Sequence, residues 1–138
     1  MNFEEIYDQS YSRVMENDIS GLSFFDTFYS KFLDASPDIA EKFKNTDMTA
    51  QKKMLKKSFY HLLIFYGSNQ ADDYIQKIAR SHDKTHLDIQ PALYDIWLNT
   101  LMATLSEYDD EFTDDVELAW RLVLTPGITY MKFKYSHP

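Results

Sequence analysis

The stretch IARSHDKTHLDIQPALYDIW, residues 78–97, decides how this chain is read. Ile75, Ile78, Ala79 and His82 follow the i, i+3, i+4, i+7 spacing of one helix face, so a histidine completes the apolar stripe of a helix expected from about Ala71 to Asp83. His86 follows four residues later, beyond the expected helix end. Pro91 then suits a first helical turn, where its missing N–H would be unpaired anyway, and Tyr94, Trp97, Leu98, Leu101 and Leu105 recur on the inward side of that next helix.

Helical spacing continues in both directions. Upstream, Phe3, Ile6, Tyr7, Val14 and Met15 form one segment, which ends near Asn17 to Gly21. A second places Leu22, Phe25, Phe28, Tyr29, Phe32 and Leu33 on one side and closes at Ser36-Pro37. A short third carries Ile39 and Phe43, with Ser36 as its cap, and a long fourth turns Met48, Leu55, Phe59, Leu62, Leu63 and Tyr66 inward before Gly67-Ser68-Asn69 stops it. Downstream, Thr113 caps a seventh helix whose buried face holds Val116, Trp120, Val123, Leu124, Ile128 and Met131, with Asp114, Asp115 and Glu117 near its positive end. Pro126-Gly127 in mid-run should kink or break it. The expectation is an all-α fold of about seven helices in one domain, 1–138.

Composition agrees. Only 3 Gly and 4 Pro in 138 residues leave little material for the turns of a sandwich or barrel, and 44% hydrophobic residues suffice for a globular core. A net charge of −8 provides no broad basic face for nucleic acid or an anionic membrane. The absence of cysteine excludes disulfides, thiolate catalysis and Cys-ligated metal, so any metal must sit on His or carboxylate. No run approaches ~18 uninterrupted apolar residues, and the acidic start MNFEEIYD lacks the basic region of a signal peptide; a cytoplasmic protein is expected. The 16% aromatic share, from 10 Tyr, 10 Phe and 2 Trp, is high for so small a domain and hints at a wide, flat lining.

Among four histidines, His137 belongs to the tail, and His61 falls on the flank of the fourth helix with no role assigned. His82 is either a satisfied core histidine or a ligand. Lys52, Lys53, Lys56 and Lys57 make a basic face that reads first as a solvated side; pairing with a cofactor's acidic groups or with a redox partner are the alternatives. Asp109-Asp110-Glu111 and Asp114-Asp115 lack the glycine and spacing of a calcium loop and read as a loop and helix start.

The ordered set Phe28-Tyr29, Phe32-Leu33, Pro37, Ile39 and Phe43, then Ile78 through His82, His86, Pro91, Tyr94, Trp97 and Ala119-Trp120 resembles the globin family over nearly the whole chain. It is similar to bacterial single-domain globins and to the globin parts of flavohaemoglobins and globin-coupled sensors. The resemblance implies a helical sandwich around haem b (iron protoporphyrin IX), with His82 as proximal iron ligand, His86 near a propionate, Phe43 stacked on the porphyrin, Leu55 over it and Tyr94 beside the proximal histidine. It also implies Tyr29 as a hydrogen-bond donor to a diatomic gas ligand, O2 and also NO or CO, with Gln51 as the second distal group. Moving the fourth-helix register by one would bury Lys56; moving it by two would place Lys53 in the distal position and bury Lys57, so unpaired charge penalises both alternatives.

The implied activity is reversible oxygen binding, for transport, scavenging or sensing, with no catalytic residue assigned. Two other readings remain open at this point: a haemless globin-fold signalling or interaction module, and a nitric-oxide dioxygenase that relies on a separate reductase. The chain has no room for the reductase module of a flavohaemoglobin. Where that family places a glutamate in the last helix, this chain offers Lys132, Phe133, Lys134 and Tyr135, so a strong electronic push on iron is not expected.

Overall fold

Polar caps set the helix starts. In the computed structural model, which describes residues 1–138, the elements are α1 (Phe3–Met15), α2 (Phe24–Ala35), α3 (Pro37–Phe43), α4 (Met48–Ser68), α5 (Asp73–His82), α6 (Pro91–Tyr108) and α7 (Asp114–Lys134). Side-chain oxygens of Asn2, Ser23, Ser36, Asp47, Asp72 and Thr113 accept hydrogen bonds from the first-turn amides of α1, α2, α3, α4, α5 and α7, pairing donors that the helix itself cannot satisfy. At the other end of α4, Asn69 takes the left-handed conformation (φ 56°) that stops the helix.

Two expectations are corrected. Leu22 does not open the second helix: it is 50% exposed and pairs with Ile19 across a tight turn in which Ser20 (φ 53°) and Gly21 (φ 80°) take positive φ. The reason is Ser23, which forms a capping box with Asp26 and fixes the start of α2 at Phe24. Of the kink or break expected at Pro126-Gly127, the break does not occur: the last helix runs without interruption to Lys134. An interior proline costs about 3 kcal/mol, whereas burying Val123, Leu124 and Ile128 on the same stretch returns roughly 1.5–3 kcal/mol each. Gly127 has its own reason: a Cβ there would lie 2.1 Å from Leu62 Cδ2, so α7 approaches α4 at a point where no side chain fits.

The chain divides into two units. The first holds residues 1–46 and 96–121 and includes buried Tyr7, Val14, Phe24, Phe28, Leu101, Leu105, Tyr108 and Trp120. Its polar centre is Asp109, 2% exposed, which accepts hydrogen bonds from Ser10 Oγ (2.6 Å) and from Arg13 Nε and Nη2 (2.6 and 2.9 Å). Trp120 Nε1 in turn donates to Ser10 Oγ at 2.9 Å. The sequence reading placed Asp109 in a loop without assigning it this part.

The second unit holds residues 47–95 and 122–138. Within it α4 packs on α5, and Leu55, Phe59 and Leu62 of the one and Ile75 and Ala79 of the other are buried. The His61 ring stacks on Tyr74 at 4.0 Å, and its Nδ1 pairs with Asp72, the α5 cap, at 2.7 Å. His61 thus ties the start of α5 to the middle of α4.

Candidate functional site

His82 is the last residue of α5, and Tyr94 lies in the first turn of α6. Their side chains meet: His82 Nδ1 and Tyr94 Oη are 3.2 Å apart. Burial lowers the His82 pKa from 6.5 to about 4, so the ring is neutral at pH 7, and burial also pushes the Tyr94 phenol up, which keeps its proton on. The other ring nitrogen, Nε2, makes no hydrogen bond. No buried side-chain nitrogen or oxygen lacks a partner, so Nε2 opens onto accessible space. A neutral imidazole with Nδ1 engaged and Nε2 open is what a transition metal requires of a histidine ligand. His82 is a single imidazole donor with no cluster of other His, Asp or Glu side chains around it, which suits a metal whose other ligands come with a cofactor. The donor set therefore fits haem.

The loop after His82 is tightly bonded. Asp83, 3% exposed, receives the Thr85 amide and hydroxyl, both at 2.9 Å, and His86 Nδ1 at 2.7 Å, all on Oδ1. The hydrogen bond from His86 is the main cause that lowers the Asp83 pKa, with Thr85 adding to it against the effect of burial. The Ile89 amide returns to the His82 carbonyl at 3.0 Å. From α7 and its end, Tyr135 donates its hydroxyl to Asp88 Oδ1 (2.5 Å), while its carbonyl accepts the Lys84 amide (3.0 Å). His86 sits on this frame with a side chain 58% exposed, free to reach an acidic group at its Nε2. The frame was missed in the sequence reading. Asp83-Lys84-Thr85 does carry the pattern of an aspartate that bonds its own backbone two residues on, but nothing local points to Tyr135.

On α4, Leu55 is 6% exposed and Gln51, one turn earlier on the same face, is half-buried. Lys53, Lys56 and Lys57 are all exposed, while Lys52 is half-buried like Gln51. In the first unit, Tyr29 is 3% exposed and its ring packs 6.0 Å from Phe43 and 5.1 Å from Phe28, while Phe43 also meets Phe32 at 6.0 Å. Trp97 lies 6.2 Å from Phe28, edge to face. Tyr29 and Phe43 are therefore brought together, as are His82, Tyr94 and the His86 loop. Where a last-helix carboxylate was sought, Lys132 instead pairs with Asp95 at 2.6 Å.

A family model described as Globin matches residues 26–130. A crystal structure of a Pseudomonas aeruginosa PAO1 protein, described as structurally highly homologous to a human hemoglobin, is 37% identical, with a TM-score of 0.88, covering 97% of this chain and 98% of that one. No curated protein matches the sequence. No helix is long and apolar enough to cross a membrane.

Proposed function

The chain belongs to the globin family and has its all-helical fold, and from that premise we propose that residues 1–138 form a single globin domain that holds one haem b through His82 and reversibly binds a diatomic gas. Haem supplies an iron whose sixth position takes O2, and also NO or CO. The observation that carries the reading is the His82–Tyr94 pair, which supports a neutral imidazole with its proton on Nδ1 and Nε2 turned to the metal. His86, fixed by Asp83, would hold a haem propionate. Phe43 would stack on the porphyrin and Leu55 cover it; the Tyr29 hydroxyl would donate a hydrogen bond to the gas ligand, with Gln51 as second polar group. A cysteine-free chain suits the reducing cytoplasm, where we place this activity.

The visible spectrum of the purified protein, supplied with haem, tests the reading. A Soret band that is displaced in His82→Ala is expected; no band, or an unchanged spectrum and affinity in the variant, would overturn it. Loss of a hydrogen bond worth ~1.4 kcal/mol in Tyr29→Phe should speed O2 dissociation roughly 10-fold, and an unchanged rate would remove Tyr29 from the ligand's surroundings.

A further inference from the structure

Residues Met48–Ser68 contain four lysines and no acidic residue, in a chain with 22 Asp and Glu against 14 Lys and Arg. Lys53, Lys56, Lys57 and Tyr60 follow i, i+3, i+4, i+7 and form one outward stripe; all four are exposed, Tyr60 by 63%, with Lys52 half-buried on its flank. Gln51, Leu55, Phe59 and Leu62 lie on the other side of the same helix. The stripe is costly to keep. Like charges at i, i+4 (Lys52 and Lys56, Lys53 and Lys57) repel one another. Elsewhere five cations have acidic partners, Arg13 with Asp109, Lys31 with Glu107, Lys44 with Glu41, Arg121 with Glu117 and Lys132 with Asp95, and the unpaired Lys77, Arg80, Lys84 and Lys134 are not gathered in one stripe on one helix. Lys53 and Lys56 have none, and Lys57 stands 4.9 Å over the Tyr74 ring, which holds its position without neutralising it.

We propose that this stripe is the docking surface for the acidic face of a soluble one-electron donor protein. The proposal rests on the haem reading above, because O2 binding requires ferrous iron and Gln51 and Leu55, on the inner side of this helix, are the residues we assign to the cofactor. In the encounter one electron passes from the reduced donor to ferric haem iron; the donor is oxidised by one electron, the iron becomes ferrous, and no bond forms or breaks in either protein. Three properties choose this partner. From Lys53 to Tyr60 the stripe is ~11 Å long, the size of a small transient redox contact. An exposed aromatic among lysines offers an apolar centre with a charged rim. An extended polyanion such as a membrane or nucleic acid would also meet the acidic remainder of the chain, whereas a compact acidic patch avoids it.

The test uses a strongly acidic flavodoxin as the donor. Stopped-flow reduction of the haem-loaded ferric protein should slow at least ~10-fold between low salt and 0.3 M NaCl, and Lys53→Glu/Lys56→Glu should be slower by a similar factor at low salt only. The milder Lys53→Gln/Lys56→Gln should fall between. Reduced lumiflavin, a small donor that needs no docking, should reduce all forms at one rate. Rates that ignore salt or differ less than ~2-fold between wild type and the charge-reversed form overturn the proposal. An NMR titration of the protein with oxidised flavodoxin reads docking without haem: amide shifts centred on residues 53–60 support the surface, and shifts elsewhere or none overturn it. Should the protein take up no haem, shifts on the stripe would keep the surface and sink only the haem reading. Tighter binding of phosphatidylserine vesicles or duplex DNA to these lysines would overturn the choice of a protein partner.

Discussion

Tyr94→Phe isolates what the proximal hydrogen bond does. In the native protein Nδ1 of His82 lies 3.2 Å from the Tyr94 hydroxyl, which can accept a proton held there once Nε2 is given to a metal. Without the hydroxyl, the cofactor-free protein can place the ring proton on Nε2, which opens onto accessible space, at little cost. Haem binding through Nε2 then forces the proton back to Nδ1, inside the protein and without a partner. An unpaired buried donor costs about 1–3 kcal/mol, so haem affinity should fall roughly 5- to 150-fold, a span that brackets the roughly 10- to 100-fold typical when partners that orient metal-bound histidines are removed. The thermal stability of the cofactor-free protein should change little, because the tautomer cost arises only on binding. Transfer of haem to an excess of a scavenging apoprotein measures the first quantity, and a shift of the iron–histidine stretching band in the ferrous form measures the bond itself. Haem loss within about 2-fold of native, together with an unmoved band, would refute the argument.

Asp109→Asn should destabilise the protein strongly. Breaking a buried pair costs about 3–5 kcal/mol, and because the Arg13 side chain keeps 26% of its exposure and has Glu111 at 3.7 Å as a second acceptor, the lower end is expected: about 3 kcal/mol, or a Tm lower by roughly 10 °C. Burial raises the Asp109 pKa, but hydrogen bonds from Arg13, Ser10 and the Glu111 amide outweigh it and hold the carboxyl below its ordinary 3.8. Its stabilisation is therefore present above that value and lost as pH falls through the lower folded value, so native and variant Tm should converge in acid; parallel curves would contradict the assignment. Gly127→Ala gains ~1 kcal/mol of helix propensity but puts a methyl 2.1 Å from Leu62 Cδ2, and overpacking costs about 1–3 kcal/mol. It should destabilise the native protein and stabilise Leu62→Ala, and equal effects in both backgrounds would show that no such contact exists.

What could be read from the sequence was local. Helix faces and most starts follow from residues within one or two turns, and so Ser36, Thr113 and the stripe Ile75, Ile78, Ala79, His82 are placed as expected. Leu22 was misread because an apolar residue at the right spacing says nothing about which neighbour caps; Ser23 and Asp26 decided that. The break allowed for at Pro126 does not occur, because the local penalty is offset by the buried side chains that flank it. The polar frame could not be read at all: Ser10 and Trp120 lie 110 residues apart, Arg13 and Asp109 96, Asp88 and Tyr135 47. Aspartate reads as surface until its partner is known, and no periodicity links such pairs.

Charge was the exception that carried information across the helix. On α4 the apolar pattern alone allows more than one register, but lysines cannot be buried unpaired, and that single prohibition keeps Lys53, Lys56 and Lys57 exposed while Leu55 is buried. Two lysines would have enforced it. Lys56 opposes a shift of one and Lys57 a shift of two, so Lys53 is not needed to hold the register, and it adds repulsion to the helix that carries it. A charge that the fold does not need, kept at a cost to the fold, points outward to something it meets; that is the physical ground on which α4 is assigned an interior side for the cofactor and an exterior side for a partner.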